Sequence, residues 1–262
     1  MSFKKGTAKM FKSIKALKTK KERDKEGLFV CEGLRFVEEI TDDFKIKMYV
    51  ASESFAQENN LDIYEKRAEV YVFTDKEFGE MSDTETPQGI MAICHKKNYS
   101  LEEIVKKADG GFYVAAEELN DPGNLGTIIR TADACGADAV ILSKGSVDVY
   151  NGKVLRSTMG SVFHVPIITD VDIKETVMML KSNGVKVYAA HLKGTKTPYK
   201  FNLKTKTAYL IGNEAKGLKE ETASLADEYI KIPMPGRAES LNASVAAAVL
   251  MYETVRQREE EK

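Results

Sequence analysis

The sequence predicts an α/β fold with a mostly parallel sheet in its C-terminal half. Short apolar strands alternate with amphipathic helical patterns along most of the chain. In residues 110–258 the strands are near-continuous apolar runs flanked by helices, a pattern typical of strands that are covered on both faces. At 262 residues the chain also exceeds the usual size of one domain, so we expect two domains.

The first part of the chain consists of short elements, which predicts a small α/β domain. We expect strands at 28–31, 46–50, 70–73 and 89–94, and helices at 34–40, 55–67 and 76–81. The polar stretch 95–100 has no periodicity and separates two complete sets of strands and helices. The predicted domains are therefore residues 1–98 and residues 99–262.

The second part repeats the alternation with longer elements. We expect strands at 111–116, 139–142, 163–168, 185–190, 207–211 and 229–232, and helices at 124–135, 149–157, 173–183 and 242–258. Strands flanked by such helices predict a sheet with helices on both faces.

The charge is unevenly distributed, although the net charge is only −1. The first 25 residues contain ten basic and two acidic side chains, and the spacing of Met10, Ile14 and Leu17 predicts an amphipathic helix among them. Such a segment is either a solvated helical face or a phosphate-binding surface. It has no apolar stretch of the kind that a signal peptide needs, and no window of the chain approaches a membrane span, so we expect a cytoplasmic protein.

Cysteine and histidine spacing does not indicate a metal centre. Cys31, Cys94 and Cys135 lie far apart, as do the three histidines, and none matches a metal or redox spacing. We expect free thiols and no metal.

The usual nucleotide and catalytic motifs are absent. No G-x-G-x-x-G follows a strand, and no G-x-x-x-x-G-K-[ST] occurs, which disfavours dinucleotide oxidoreductases and P-loop NTPases. Neither a G-x-S-x-G elbow nor an H-E-x-x-H metal motif is present.

Three other segments follow predicted strands, where open α/β sheets place their ligands. They are residues 120–132 with Asn124 and Arg130, residues 210–218 with Gly212, Glu214 and Gly217, and residues 232–244 with Ser240 and Asn242. Taken singly, each has a simple structural interpretation as a turn, a helix cap or a surface side chain. Each can equally present backbone and polar groups to a ligand.

In their residues and their order, these segments resemble the motifs of the SpoU/TrmH-type 2′-O-ribose methyltransferases of the SPOUT superfamily, and the resemblance covers residues 110–258. The family motifs N-L-G-x-x-x-R, G-x-E-x-x-G and I-P-M…S-L-N-x-S occur in sequence as residues 124–130, 212–217 and 232–244. Residues 29–39 are similar to the start of the ribosomal-protein-like substrate-binding domain often fused to this family.

The resemblance implies a fold that periodicity could not reveal. It implies a C-terminal SPOUT domain with a deep trefoil knot, which general topology rules disfavour. It also implies S-adenosylmethionine as methyl donor, a homodimer that completes the active site, and structured RNA as substrate. The appended N-terminal domain makes 23S ribosomal RNA the expected substrate, and it implies that the basic N-terminal helix contacts RNA.

The resemblance also assigns site residues by position. Donor binding is assigned to Ile211, Gly212, Gly217, Ile232, Met234 and Leu241. The catalytic assignment covers Asn124, Arg130, Glu214, Ser240 and Asn242. For Glu214, two roles stay open: offsetting the sulfonium charge or ordering the turn.

Arg130 matches the arginine that the family is proposed to use on the ribose hydroxyl. A guanidinium is essentially always protonated and is therefore a poor base. We expect Arg130 to orient the ribose, clamp the adjacent phosphate and stabilise charge on the 2′-oxygen.

Three alternatives stay open at this point. The enzyme could methylate transfer RNA instead, or the chain could be a non-catalytic RNA-binding protein with the same fold. The non-catalytic alternative is disfavoured because the motif residues Arg130, Ser240 and Asn242 are intact. A nucleotide-dependent oxidoreductase is disfavoured by the absent glycine fingerprint.

Overall fold

The computed structural model of the protein describes residues 4–107 and 110–260. The chain forms two compact units. Unit 1 comprises the described residues up to Lys97 together with Tyr150–Phe163, and unit 2 comprises Asn98–Val149 together with the described residues from His164 onward. Sequence periodicity gives no sign that residues 150–163 group with the N-terminal residues. The division into domains 1–98 and 99–262 stays a prediction.

Eleven strands and twelve α-helices alternate along the described parts of the chain. In chain order they are β1 (Lys4–Lys5), α1 (Ala8–Ala16), α2 (Lys20–Glu26), β2 (Leu28–Glu32), α3 (Leu34–Glu38), β3 (Ile46–Ser52), α4 (Glu53–Glu58), α5 (Asp62–Glu65), β4 (Val70–Phe73), α6 (Asp75–Met81), β5 (Ile90–His95), α7 (Leu101–Lys107), β6 (Phe112–Ala116), α8 (Pro122–Ala134), β7 (Ala139–Ser143), α9 (Gly152–Thr158), β8 (Ile167–Val171), α10 (Ile173–Ser182), β9 (Lys186–Ala190), β10 (Thr207–Ile211), α11 (Glu220–Ala223), β11 (Glu228–Ile230) and α12 (Ala243–Glu259). Short 3₁₀ helices lie at Ser161–Phe163 and Pro198–Lys200.

Unit 2 is built on a six-stranded sheet in the order β11-β9-β10-β6-β7-β8, and every neighbouring pair is parallel. The prediction of a parallel sheet is confirmed. Strands β6, β7 and β10 are buried at every residue because helices cover both faces. Val105 of α7 and Val177 of α10 pack on one face with Leu210. On the other face, the hydroxyls of Thr254 in α12 and Tyr209 in β10 hydrogen-bond at 2.6 Å.

The parallel arrangement determines where a ligand site can form. All six strands point the same way, so their carboxyl ends lie at one edge of the sheet. The loops that follow β6, β9, β10 and β11 leave the sheet at this edge. Backbone groups released from strand pairing are available there to bind a ligand.

Unit 1 contains a five-stranded mixed sheet in the order β1-β4-β3-β5-β2. Strands β2 and β5 and strands β3 and β5 pair antiparallel, while β1, β4 and β3 run parallel. Helix α1 packs Ile14 against a core that includes Phe73 and Ile93, and Leu17 just after the helix is buried in the same core. The predicted amphipathic N-terminal helix is therefore confirmed.

Two predicted elements were wrong in their extent. The helix expected at 55–67 is interrupted because Asn59 and Asn60 hydrogen-bond the local backbone, which ends α4 and begins α5. The strand expected at 163–168 begins only at Ile167. Phe163 instead lies in a 3₁₀ helix, and its ring packs against Phe36 and Phe44 at centroid distances of 5.3 and 5.0 Å.

None of the helices in the described ranges combines the length and the apolar character that a transmembrane span needs. In the same ranges, no three His, Cys, Asp or Glu side chains gather closely enough to hold a metal ion.

Arg23 is a buried charge with a structural role, so we predict that its loss destabilises unit 1. Its guanidinium donates to the carbonyls of Leu17 and Lys18, both at 2.8 Å, at the end of α1. Arg23→Ala leaves these acceptors without their donor and should lower the free energy of unfolding by about 2 kcal/mol. Urea unfolding checks this, with Lys21→Ala as the control because Lys21 is exposed and loses the same charge. Equal stability of the two variants would contradict the role of Arg23.

Candidate active site

A cavity of about 280 Å³ lies in unit 2 at the carboxyl ends of β9, β10 and β11. The structure brings all six residues predicted to bind the donor into its lining, together with two of the predicted catalytic residues: Ile211, Gly212, Gly217, Ile232, Met234, Leu241, Glu214 and Ser240. The second and the third motif segments thus converge on one space.

Sequence reasoning missed part of the lining. His191 and Leu192, which follow β9, and Ala243 and Ala246, at the start of α12, also line the cavity. No motif marks them. Only the strand order, in which β9 lies between β10 and β11, brings the loop after β9 to the site.

The turn after β10 has a shape that only glycine permits at its start. A Cβ atom on Gly212 would lie 2.1 Å from the backbone nitrogen of Leu218 and 2.2 Å from the carbonyl carbon of Gly217. Asn213 and Gly217 exchange backbone hydrogen bonds of 3.1 and 2.9 Å, and Gly217 has a left-handed φ of 70°. The turn is therefore closed tightly on itself, and its outer backbone faces the cavity.

Asn124 joins the three motif segments through its side chain. Its amide nitrogen donates to Glu214 Oε1 at 3.0 Å, which connects the loop after β6 with the turn after β10. Its carbonyl oxygen accepts from the amide of Asn242 at 2.9 Å and from the hydroxyl of Ser244 at 3.3 Å. Both the donor and the acceptor function of this buried amide are used, so its orientation is fixed.

Asn242 also begins helix α12. Its side-chain oxygen accepts from the backbone N–H groups of Ser244 and Val245 at 2.9 and 3.4 Å, which makes it the N-cap. The structural interpretation of this residue as a helix cap is therefore confirmed, and the same side chain also contacts Asn124. Its catalytic assignment stays a prediction.

Glu214 accepts hydrogen bonds from one side chain and two backbone groups of the neighbouring loop. Besides Asn124, the N–H groups of Asp121 and Asn120 donate to it at 3.0 and 3.3 Å. Burial raises the pKa of Glu214, but the hydrogen bonds from the Asn124 amide and from the backbone outweigh burial and hold the pKa below that of an ordinary glutamate. The carboxylate is therefore ionised at neutral pH and stabilises the contact between the two loops.

Glu117 and Glu118, which sequence reasoning missed, anchor both ends of the turn after β10. Buried Glu117 accepts from the backbone N–H of Lys219 at 2.9 Å and from the hydroxyl of Thr222 at 2.5 Å. The carbonyl of Glu118 accepts from the amide of Asn213 at 2.7 Å. The position of Glu117 directly after an apolar strand could have marked it as a candidate site residue, but only the tertiary structure identifies its hydrogen-bond partners.

Arg130 lies apart from this network. Six residues after Asn124 in α8, it is rotated about 120° around the helix axis and shifted about 9 Å along it. Its side chain is exposed, and it has no hydrogen-bond or ion-pair partner within residues 4–107 and 110–260. The structure thus brings Asn124, Glu214, Ser240 and Asn242 to the cavity region, whereas Arg130 is absent from the cavity lining.

The sequence and the fold have clear relatives. Residues 111–252 match the SpoU rRNA Methylase family, and residues 9–92 match the MRM3-like substrate binding domain. The chain is 37% identical, over 92% of its length and 94% of the relative, to the 23S rRNA (guanosine(2553)-2′-O)-methyltransferase RlmP of Bacillus subtilis strain 168. The protein belongs to the SpoU rRNA methylase family.

Two similar crystal structures contain the methyl donor. The AdoMet-bound rRNA methyltransferase from Sinorhizobium meliloti superposes with a TM-score of 0.85 at 33% identity, covering 97% of this chain and 96% of that one. The SpoU methyltransferase AviRb from Streptomyces viridochromogenes in complex with AdoMet gives a TM-score of 0.86 at 27% identity, with coverages of 97% and 98%. The similarity therefore extends through both units.

The geometry of Gly212 yields a prediction about the cavity. Gly212→Ala forces the turn open and should lower the free energy of unfolding by about 2 kcal/mol and abolish S-adenosylmethionine binding in calorimetric titration. Gly236→Ala is the matched control, because a Cβ there meets no atom within 4 Å. Donor binding by Gly212→Ala at the affinity of the control would contradict a role for this turn in forming the cavity.

Proposed function

We propose that the protein transfers a methyl group from S-adenosylmethionine to the 2′-hydroxyl of a ribose in 23S ribosomal RNA. The observation that carries this proposal is the convergence of the second and third family motif segments on one cavity at the carboxyl edge of the parallel sheet. The first segment is joined to both through the side chain of Asn124. Similarity to RlmP over 92% of the chain, including the matched substrate-binding region, supports ribosomal RNA over transfer RNA.

The cavity has the chemistry that a nucleoside-containing donor requires. Ile211, Met234 and Leu241 offer apolar surface, while the backbone at Gly212 and Gly217 offers hydrogen-bonding groups. Its volume of about 280 Å³ is close to the lower end of small-molecule pockets, about 300 Å³. When bound, S-adenosylmethionine supplies an electrophilic methyl group on a sulfonium.

Arg130 orients the acceptor. Its guanidinium is exposed, has no partner among the residues that the structure describes, and is available to bind a phosphate of the RNA backbone and to stabilise charge that develops on the 2′-oxygen. It does not act as the base, because a guanidinium stays protonated. Holding the hydroxyl in line with the methyl group supplies most of the acceleration in this scheme.

Glu214 orders the turn after β10. Its carboxylate accepts hydrogen bonds from Asn120, Asp121 and Asn124, and this occupation favours ordering over direct interaction with a sulfonium. Ser240, which lines the cavity with its exposed side chain, is the hydroxyl group best placed to contact a ligand. Asn242 joins Asn124 to the start of α12, because its side chain donates to Asn124 and also caps the helix.

Unit 1 holds RNA through backbone charge and shape. Among the ten basic residues near the N-terminus, Lys4, Lys15, Lys18 and Lys25 form ion pairs and Arg23 is buried. Five exposed or partly exposed lysines have no described ion-pair partner and supply the positive surface: Lys5, Lys9, Lys12, Lys20 and Lys21.

A homodimer completes the site. Val245, Val249 and Tyr252 form an exposed apolar stripe along α12, with 46%, 36% and 55% of each residue accessible. A helix that is buried on one face and apolar on the opposite face needs a second packing partner. Helix α8, which carries the exposed Arg130, packs against α12, and we expect the second copy to complete the acceptor side of the site at this arginine.

The segment between β9 and α12 forms the deep trefoil knot that is expected of the family. Supporting contacts are the hydrogen bonds from His191 N to Ile230 O and from Lys231 N to Lys196 O, both 3.1 Å, which hold two distant stretches of chain together. A crystal structure whose chain is not knotted at this segment, so that pulling on its two ends would not tighten it, would contradict the proposed knot.

A ribosomal RNA substrate implies that the enzyme works in the cytoplasm.

Methyl transfer tests the function directly. Wild-type protein with labelled S-adenosylmethionine should label 23S ribosomal RNA from cells that lack the protein, and nuclease digestion should release a 2′-O-methylated nucleoside. Arg130→Ala should lower kcat by about a hundredfold or more while it retains donor binding. Arg130→Lys, which keeps the charge but loses the planar fork, should recover only part of the rate. Label in transfer RNA alone, or full activity of Arg130→Ala, would contradict the proposal.

The dimer has its own test. Tyr252→Asp introduces a charge into the apolar stripe and should convert a dimer to a monomer in sedimentation velocity, with loss of methyl transfer. Met178→Asp on α10, equally exposed at 55%, is the control and should leave the dimer intact. A monomeric wild-type protein with full activity would show that the site is complete in one chain.

A further inference from the structure

Unit 1 has a cavity of its own, of about 240 Å³, that the proposed methyl transfer does not use. It is bounded by the start of α3, the chain just before β5 and the end of α9. Its lining includes Arg35, Phe36, Gln88, Arg156 and Met159. The cavity thus combines N-terminal residues with the segment 150–163, which belongs to the same unit.

Two arginines and one glutamate line this cavity and give it a formal net charge of +1: Arg35, Arg156 and Glu32. Arg35 and Arg156 are both exposed, and neither guanidinium has a hydrogen-bond or ion-pair partner in the part of the chain that the structure describes. The carboxylate of Glu32, which also lines the cavity, is hydrogen-bonded to the chain after α6: it accepts from the N–H of Asp83 at 2.9 Å and from the hydroxyl of Thr84 at 2.8 Å, and it pairs with neither arginine. An anion is therefore the complementary ligand.

Gln88 adds a directed donor. Its side-chain oxygen accepts from the backbone N–H of Leu34 at 2.8 Å, which fixes the orientation of the amide. The amide nitrogen has no acceptor among the described residues and stays available to donate to a ligand.

Met159 occupies a backbone conformation that normally requires glycine. It is the C-cap of α9 with φ 52° and ψ 36°, in the left-handed region, and 49% of the residue is exposed. The following Gly160 fits tightly, because a Cβ there would lie 2.8 Å from the side chain of Glu39. Strained backbone positions cluster at ligand sites, and here the strained residue places a large apolar side chain on the rim of the cavity.

We propose that this cavity binds one unpaired nucleotide of the RNA substrate. Phe36 and Met159 provide an apolar surface for the base, Gln88 donates to an acceptor on the base edge, and Arg35 and Arg156 bind the flanking phosphates. Stacking of a splayed base with arginines on the backbone is the usual way in which proteins read single-stranded RNA. The proposal rests on RNA being the substrate of the enzyme and goes beyond it by assigning a second contact point.

Binding of RNA as a function of salt tests the arginines in the full-length protein. The probe is a fluorescent fragment of whichever RNA the wild-type enzyme methylates, 23S ribosomal RNA or transfer RNA. Arg35→Ala and Arg156→Ala should each raise Kd about fivefold and reduce the slope of log K against log salt by about 0.7. Lys66→Ala is the matched control, because Lys66 is an exposed charge on unit 1 without a partner in the described ranges. It should change the Kd and the salt slope by only a small fraction of these amounts.

Met159→Gly separates a ligand contact from a structural role, because the two roles predict opposite effects on the melting temperature. Glycine relieves the left-handed strain, so the melting temperature should rise or stay unchanged while Kd for RNA increases about threefold to tenfold. S-Adenosylmethionine binding should be unaffected in all three variants. If all of them bind RNA as Lys66→Ala does, the cavity is not an RNA site. A wild-type protein that methylates neither RNA would instead contradict the function and this inference with it.

Discussion

The hydrogen bonds of the Asn124 side chain are the constraint on which the proposed active site depends. A single buried amide contacts Glu214 of one segment and Asn242 of another, and so links its own segment to two stretches of chain that lie about 90 and 120 residues later in the sequence. A planar amide that uses both its donor and its acceptor has one allowed orientation. Loops that could otherwise move independently are therefore held in one arrangement.

This constraint explains why the cavity can be lined largely by irregular backbone. Exposed loops are usually the least stable parts of a domain. Here the turn after β10 is held by hydrogen bonds at its start through Asn213, along its length through Glu214 and at its end through the buried carboxylate of Glu117. Each of these hydrogen bonds joins the turn to the chain that follows β6, the strand beside β10 in the sheet. Pre-organisation of this kind lowers the entropy that a ligand must remove on binding.

The acceptor side of the site is organised differently. Arg130 lies on the exposed face of α8, where no described residue restrains its guanidinium. An exposed arginine gains a defined position only from a partner, which in the proposed scheme is the RNA together with the second subunit. In the proposed scheme the donor side is held by its hydrogen bonds before binding, and the acceptor side becomes ordered with the substrate.

Much of this arrangement could be predicted from the sequence, because the fold follows from local patterns. Apolar runs such as residues 207–211 predict buried parallel strands, and the residues just after them line the candidate site. The position of β8 and the interrupted helix at Asn59 could not be predicted so well, since Phe163 has the apolar character of a strand residue and asparagine is tolerated in helices. Nor could periodicity reveal that Glu117 anchors a turn about a hundred residues away, because partners of buried polar groups are chosen by tertiary packing.

A double-mutant cycle on Asn124→Ala and Asn242→Ala tests the central role of this network most directly, with S-adenosylmethionine affinity measured by calorimetry for each variant. If the two side chains act as one unit, each single change weakens binding and the double variant is weakened little further, which gives a coupling energy of about 1 kcal/mol or more. Additive effects within about 0.5 kcal/mol would show that the amide of Asn124 does not hold the motif segments together.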